Sequence, residues 1–127
     1  MKIKVLIVDD EKEVVKFLKR GLIKEGFATV CAFDGIEAKR KISTAKPDVI
    51  LLDLVMPGLD GWKVLQWLRE EKKSLIPTII LSANDGVSDM KRGYSLEADT
   101  YLVKPVSIED VVGGIQLVCS LGAEQDK

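Results

Sequence analysis

Short apolar runs alternate along the chain with longer segments in which apolar residues recur every three or four positions. Runs of strand length, rich in β-branched residues, lie at 3–8, 28–33, 49–54, 77–83 and 99–105. The amphipathic segments after them predict helices at 11–25, 35–42, 62–71, 86–98 and 107–121. Such regular alternation is typical of a parallel sheet with helices on both faces, so we expect a doubly wound, five-stranded α/β fold.

Local signals support several of these boundaries. Gly26 is placed to end the first helix and Ser107 to cap the last one, with Asp110 three residues further on. The run VILLDL (49–54) is the most apolar and is predicted to be a central strand, covered on both faces. The adjacent glycines at 113–114 each cost about 1 kcal/mol relative to alanine, so the last helix is predicted to be soft.

Length and composition fit one globular domain. The chain has 127 residues, 46% of them hydrophobic, and we expect a domain over 1–121 and a short tail over 122–127. The formal net charge of −1 offers no basic surface of the kind that nucleic acids require, so direct nucleic-acid binding is not expected. The longest apolar stretch, 49–56, is far shorter than the about 20 residues of a transmembrane helix, so no membrane span is expected.

The start of the chain and its cysteines bear on location. The sequence is strand-like from residue 3 and shows no signal-peptide pattern. Cys31 and Cys119 lie far apart and form no CxxC motif. Both are predicted to be buried, reduced thiols, and the chain is predicted to be cytoplasmic.

The absence of certain residues and motifs excludes several kinds of chemistry. The sequence contains no histidine, which excludes histidine acid–base catalysis, the usual zinc ligand sets and a phosphohistidine on this chain. The glycine-rich loops GxGxxG and GxxxxGK[ST] are also absent, which argues against a nucleotide or flavin binder.

Polar residues stand at the predicted carboxyl ends of four strands. They are Asp9 and Asp10, Asp53, Ser82 and Lys104. Because ligands of such folds bind at the carboxyl ends of the strands, we expect these groups to converge on one site. Three carboxylates suit Mg²⁺ or Mn²⁺, and the lysine and hydroxyl facing the cation suit a phosphoryl group. Taken alone, the aspartate pair has another interpretation, because acidic residues also commonly precede helices.

Four motifs in order resemble the receiver domain of two-component response regulators. These are VDD (8–10), LLDLVMPGLDGW (51–62), ILSAN (80–84) and YLVKP (101–105). Each motif is weak by itself, but together, at matched strand ends, they are specific, and the resemblance covers essentially the whole chain. It implies a CheY-like, flavodoxin-like fold with strand order 2-1-3-4-5.

The resemblance also implies the metal ligands. Asp53 would be the nucleophile that becomes an aspartyl phosphate. Asp10 and Asp53 would bind Mg²⁺ (or Mn²⁺) directly, with the backbone carbonyl of Val55 as the third protein ligand. Asp9 would act mainly through a metal-bound water.

The phosphoryl group would be held on its other sides by the remaining motifs. Lys104 would neutralise one phosphoryl oxygen and would pair with Asp53 at rest, and its peptide bond to Pro105 would be cis. Ser82 would donate to another oxygen, and the Ala83 N–H would assist.

The resemblance implies a switch and its partners as well. Ser82 would move toward the phosphate and Tyr101 would rotate inward, reshaping the face made by the fourth predicted helix, the fifth strand and the fifth predicted helix (the α4-β5-α5 face). The phosphoryl donor would be a sensor histidine kinase or a histidine phosphotransfer protein, and a downstream protein would read that face.

Three features of the sequence bear on how far the family's pattern carries over. Glu97 stands where a glycine is usual, which puts the geometry of that turn in doubt. Val55 cannot orient a water for dephosphorylation, whereas Asn84 could, so we expect crowding to set the phosphoryl lifetime. The last predicted helix has no Lys or Arg to match Lys91 and Arg92, so the salt-bridged dimer of that face is not expected.

Two other functions compete with the phosphorylation switch. A degenerate receiver would serve only as a protein-binding module, although all the polar positions are intact. An aspartate-nucleophile phosphatase would need a second acidic residue two positions after Asp53, where this chain has Val55. We therefore expect no enzymatic activity beyond self-phosphorylation and self-dephosphorylation.

Overall fold

The structure is a computed structural model that describes residues 2–54, 61–82 and 98–125, with side chains described as far as residue 120. Its five strands are β1 (Lys4–Val8), β2 (Ala28–Ala32), β3 (Val49–Asp53), β4 (Thr78–Ser82) and β5 (Thr100–Val103). The described helices are α1 (Lys12–Lys24), α2 (Gly35–Ala45), α3 (Gly61–Gln66) and the C-terminal helix (Ile108–Gln125). The fourth predicted helix, 86–98, lies almost entirely outside the described residues.

All five strands are parallel and lie in the order β2-β1-β3-β4-β5. This confirms the doubly wound α/β fold and the strand order that the family resemblance implied. β3 is central and every one of its residues is buried, as predicted for the most apolar run. Burial on both faces explains why VILLD reads as continuous apolar sequence rather than as an alternating pattern.

The helices cover the two faces of the sheet and form two apolar layers. On one face, α2, α3 and the turn that follows α3 pack through Ala38, Ile42, Val64, Leu65 and Leu68. On the other face, α1 and the C-terminal helix pack through side chains including Leu18, Leu22, Val111 and Ile115. Each fully buried aliphatic side chain of this kind stabilises the fold by about 1.5–3 kcal/mol relative to its exposed state.

The C-terminal helix begins as predicted and is longer than predicted. The Ser107 hydroxyl accepts from the Asp110 N–H at 3.0 Å, and the Asp110 carboxylate accepts from the Ser107 N–H at 3.4 Å, which is a reciprocal capping arrangement. Of the two glycines in this helix, Gly114 approaches Ile79 of β4 closely, whereas Gly113 has open space around it. The helix continues to Gln125, and the division of the chain into a domain and a tail stays a prediction.

The other helix ends follow local chemistry. α1 ends at Lys24, and Gly26 follows with a φ of +95°, a left-handed conformation that glycine adopts without strain. α2 begins after Asp34, whose carboxylate caps the first turn by accepting from the Glu37 N–H at 2.7 Å, and it runs to Ala45, beyond its predicted end. α3 continues as one π-helical turn, in which the Lys72 N–H donates to the Trp67 carbonyl at 2.9 Å.

No described helix combines the length and apolar character that crossing a bilayer demands. The two cysteines are free thiols and are half-buried rather than fully buried as predicted.

Candidate functional site

The strand register brings the predicted site residues to one edge of the sheet. Val8 of β1 lies opposite Leu52 of β3, so the residues that follow them, Asp9 and Asp53, are neighbours. Ser82, the last residue of β4, lies opposite Val103 of β5. Lys104 directly follows Val103 in the chain. The predicted convergence of strand ends is therefore present in the structure.

Three carboxylates cluster at this edge. Each of Asp9, Asp10 and Asp53 offers an oxygen that lies within 4.8 Å of those of the other two. Asp9 and Asp53 are buried, at 1% and 6% exposure, while Asp10 is exposed. Burying an unpaired carboxylate is costly, so a cationic partner is needed here.

Asp9 is held on both of its carboxylate oxygens. Oδ1 accepts from the Glu11 N–H at 2.9 Å, at the start of α1, and Oδ2 accepts from Lys104 Nζ at 2.9 Å. The interpretation of Asp9 as a helix-capping residue is thus correct in part, because its carboxylate satisfies a backbone donor there. The cap does not compete with membership of the acidic cluster, since the same side chain does both.

Lys104 supplies the cation, although its nearer partner is not the predicted one. Its ammonium lies 2.9 Å from Asp9 Oδ2 and 3.5 Å from Asp53 Oδ1. The expected ion pair of Lys104 with Asp53 is present at 3.5 Å, and Asp9 is a second and nearer partner. The Lys104–Pro105 peptide bond is cis, as the resemblance implied.

The pKa of Lys104 reflects these neighbours. Burial disfavours the charged ammonium and acts to lower its pKa. The hydrogen bond to Asp9 and the negative charges of Asp53, Asp9 and Glu11 act in the other direction and together outweigh burial, so the pKa lies above its ordinary value. Lys104 is therefore a permanent cation of the site at neutral pH.

Ser82 and Tyr101, the predicted switch pair, are both buried. Ser82 is 3% exposed, and its backbone carbonyl accepts from the Lys104 N–H at 2.7 Å. Tyr101 is 8% exposed and already packs within the apolar layer of α2 and α3. Their roles as a switch pair stay predictions.

Several predicted residues lie outside the described residues. These are Val55 and Ala83 of the predicted site, together with Asn84, Lys91, Arg92 and Glu97.

Gly61 is a site-supporting residue that the sequence reasoning did not single out. Its N–H donates to the Leu54 carbonyl at 3.0 Å, directly after the strand that carries Asp53. A Cβ added to Gly61 would clash with the Asp53 carbonyl oxygen and with Leu54 Cα. The Asp-Gly step ahead of the third helix was the available signal, because glycine permits close backbone approach.

The donor set fits a small, hard divalent cation. Among the described residues it consists of carboxylate oxygens, and such ligands suit Mg²⁺ or Mn²⁺ rather than the softer transition metals. Asp10 and Asp53 are the residues that the resemblance implies as direct ligands, and Asp9, whose two oxygens accept from Glu11 and Lys104, completes the acidic cluster. A cation there and the Lys104 ammonium would together flank the Asp53 carboxylate.

The model of the response regulator receiver domain matches residues 5–116. The chain belongs to this family. The match covers β1 through most of the C-terminal helix, and so includes every residue of the site.

Solved structures of similar proteins agree with the assignment. The receiver domain of the Francisella response regulator 1452 is 37% identical, with a TM-score of 0.90 over 95% of this chain and 99% of that one. The chemotaxis protein CheY4 of Vibrio cholerae is 28% identical, with a TM-score of 0.87 over 93% of this chain and 99% of that one. A two-component response regulator from Clostridium difficile is 25% identical, with a TM-score of 0.86 over 92% and 95% of the two chains.

Proposed function

We propose that this receiver domain is a phosphorylation switch whose phosphoacceptor is Asp53. The observation that carries the proposal is the placement of Asp53 between two further carboxylates and an ammonium, with Lys104 Nζ at 3.5 Å. A phosphoryl group adds a charge of about −1.5 to −2, which would be strongly unfavourable beside carboxylates alone. The combination of a cation site and a lysine is what makes phosphorylation at this position feasible.

In the transfer step, an Asp53 carboxylate oxygen attacks the phosphorus of a phosphohistidine on a partner protein. The new P–O bond forms as the P–N bond breaks, and the electron pair returns to the imidazole nitrogen, which takes up a proton. Lys104 stabilises the charge that accumulates on one phosphoryl oxygen, and the Ser82 hydroxyl donates to another. A bound Mg²⁺ would supply further charge neutralisation, with Asp10 and Asp53 as its carboxylate ligands.

The partners follow from the same chemistry. The 127 residues contain no histidine, and the phosphohistidine donor would be a sensor histidine kinase or a histidine phosphotransfer protein. Beyond its own phosphorylation and the slow hydrolysis of the product, the domain would catalyse nothing. It would act in the cytoplasm and signal to a downstream protein through the face that includes β5 and the C-terminal helix.

Intact-mass spectrometry with Mg²⁺ and acetyl phosphate tests the proposal. The wild-type protein should gain the mass of one phosphoryl group, the adduct should be lost in hydroxylamine, and Asp53→Asn should gain nothing. Asp34→Asn is the matched control, because it makes the same change at a distant helix cap where asparagine also functions. It should be phosphorylated like the wild type.

A second donor separates the remaining outcomes. If acetyl phosphate fails, a purified phosphohistidine protein is supplied in its place. Transfer from that donor to Asp53 would support the proposal. Failure with both donors, in a folded protein that binds Mg²⁺, would contradict it and favour the degenerate receiver that acts only as a binding module.

A further inference from the structure

A groove runs along the open edge of the sheet, away from the acidic site. It lies beside β2, the outermost strand, between α1 and α2, and its volume is about 560 Å³. Its floor is apolar and includes Val15, Val30 and Phe33, and Phe33 is 37% exposed. We call it the β2 groove.

The walls of the β2 groove are strongly basic. Lys12, Lys16 and Lys19 project from α1, and Lys41 projects from α2. The single carboxylate of the lining, Glu37, lies 4.0 Å from Lys41 and offsets only one of the four charges. A local excess of three positive charges thus stands on a chain whose net charge is −1.

On one side of β2, the strand at the base of the groove, backbone N–H and C=O groups point away from β1. The Ala28 N–H donates to Ile3 and the Ala32 carbonyl accepts from Asp9, so residues 28, 30 and 32 face β1. Because alternate residues of a strand face opposite sides, the backbone groups of Thr29 and Cys31 face the groove. Among the described strands, none pairs with this side of β2.

We propose that the β2 groove binds an extended acidic segment of a partner protein, which adds to the sheet as a sixth strand beside β2. Backbone pairing with Thr29 and Cys31 would supply affinity, apolar side chains of the segment would cover the floor, and its carboxylates would meet the lysines. The lysines on the two helices beside this edge strand also disfavour a basic segment, so the same residues select for an acidic one. A nucleic-acid backbone would satisfy the lysines but would leave the apolar floor uncovered.

An amide NMR titration of the ¹⁵N-labelled full chain tests the proposal. The probe is an acetylated nine-residue peptide that alternates glutamate and valine, and the control peptide carries lysine in place of each glutamate. At about 1 mM peptide, a concentration that detects even weak binding, the acidic peptide should shift the amides of residues 28–33, and the basic one should not. Shifts confined to other surfaces, or no shifts at all, would overturn the proposal.

Charge reversal supplies the second measurement. The variant Lys19→Glu/Lys41→Glu should weaken peptide binding by about tenfold, since two attractions become repulsions. The matched variant Lys2→Glu/Lys46→Glu changes two exposed lysines that do not line the groove, and it should bind like the wild type. Equal weakening in both variants would indicate a non-specific charge effect and would contradict the proposal, as would self-association of the chain through the same amides without peptide.

Discussion

The ammonium of Lys104 donates to Asp9 at 2.9 Å, while the carboxylate of Asp53 lies 3.5 Å away. The shorter distance is that of a charge-assisted hydrogen bond, and the longer one is at the limit of hydrogen bonding. Asp9 therefore anchors the lysine beside Asp53 without committing its charge to Asp53. Asp53, the proposed phosphoacceptor, thus has an adjacent cation that could turn to an incoming phosphoryl oxygen.

Removal of the Lys104 charge is expected to strengthen metal binding. In Lys104→Met, three clustered carboxylates lose their ammonium, so a divalent cation should bind about tenfold more tightly. Isothermal titration with MgCl₂ measures this change. Lys104→Arg keeps the charge and should show a much smaller effect. Unchanged or weaker Mg²⁺ binding by Lys104→Met would show that the lysine does not act on the metal ligands.

The raised pKa of Lys104 predicts a particular pH dependence of stability. A raised pKa means that the folded state holds the proton more tightly than the unfolded state, whose lysine titrates near 10.5. The resulting contribution is fully present below that value and is lost as the pH rises through the higher pKa of the folded state. The difference in unfolding free energy between wild type and Lys104→Met, measured in urea without Mg²⁺, should stay constant from about pH 7 to 9 and fall above 10.5. A fall between pH 6 and 8 would assign the effect to another group.

The sequence was informative about the fold because each strand has a clear apolar run and a polar residue at its end. Position at the end of a parallel strand is enough to place Asp53, Ser82 and Lys104 at one edge. The choice of Asp9 over Asp53 as the nearer partner of Lys104 was not predictable, because it depends on side-chain positions a few tenths of an ångström apart. The β2 groove could not be predicted from the sequence, for a different reason. The lysines of α1 read as an ordinary solvated helix face, and only tertiary packing sets them beside an open strand.

Gly61 is expected to be sensitive to the smallest substitution. In Gly61→Ala, the new methyl group would press on the backbone of residues 53–54, which cannot retreat from the central strand. The unfolding free energy should fall by about 1–3 kcal/mol, and phosphorylation of Asp53 should slow. Urea denaturation and the intact-mass assay measure the two effects. Gly113→Ala is the control, because nothing lies near that position, and it should raise stability by about 0.5–1 kcal/mol.

Arg69 is expected to be a structural residue near the amino ends of β4 and β5, away from the acidic cluster. Its guanidinium donates to the Ser74 and Ile76 carbonyls at 3.0 and 2.8 Å, and to the Asp99 carboxylate at 3.1 Å. It thereby ties the π-helical turn to the loop before β4 and to the start of β5. The side chain is 5% exposed, so Arg69→Ala should cost about 2–4 kcal/mol in urea denaturation.

Lysine is the informative comparison at that position. Arg69→Lys keeps the charge but cannot reach all of these partners at once, so its loss of stability should lie between those of the wild type and Arg69→Ala. Full retention of stability in Arg69→Lys would mean that charge alone accounts for the contribution.

The thiol of Cys31 should react slowly at neutral pH. Burial raises its pKa above 9.0, the nearby ammonium groups of Lys19 and Lys41 partly oppose this, and Glu37 adds a smaller increase. Alkylation by iodoacetamide, followed by peptide mass spectrometry, should accelerate up to and beyond pH 9. Lys19→Glu/Lys41→Glu should slow the reaction further, because fewer thiolates form. A faster reaction in that variant would show that the lysines do not face the thiol.

The register that assembles the site also limits how the gene can change. The charged groups come from the ends of separate strands. The register between neighbouring strands fixes the position of each group along the strand direction. One codon inserted within β1, β3, β4 or β5 would move that strand's polar residue by about 3.3 Å and turn it to the opposite face. We therefore expect insertions that preserve the site to lie in the connecting segments. Loop lengths can then change during evolution, whereas the lengths of these strands stay constant.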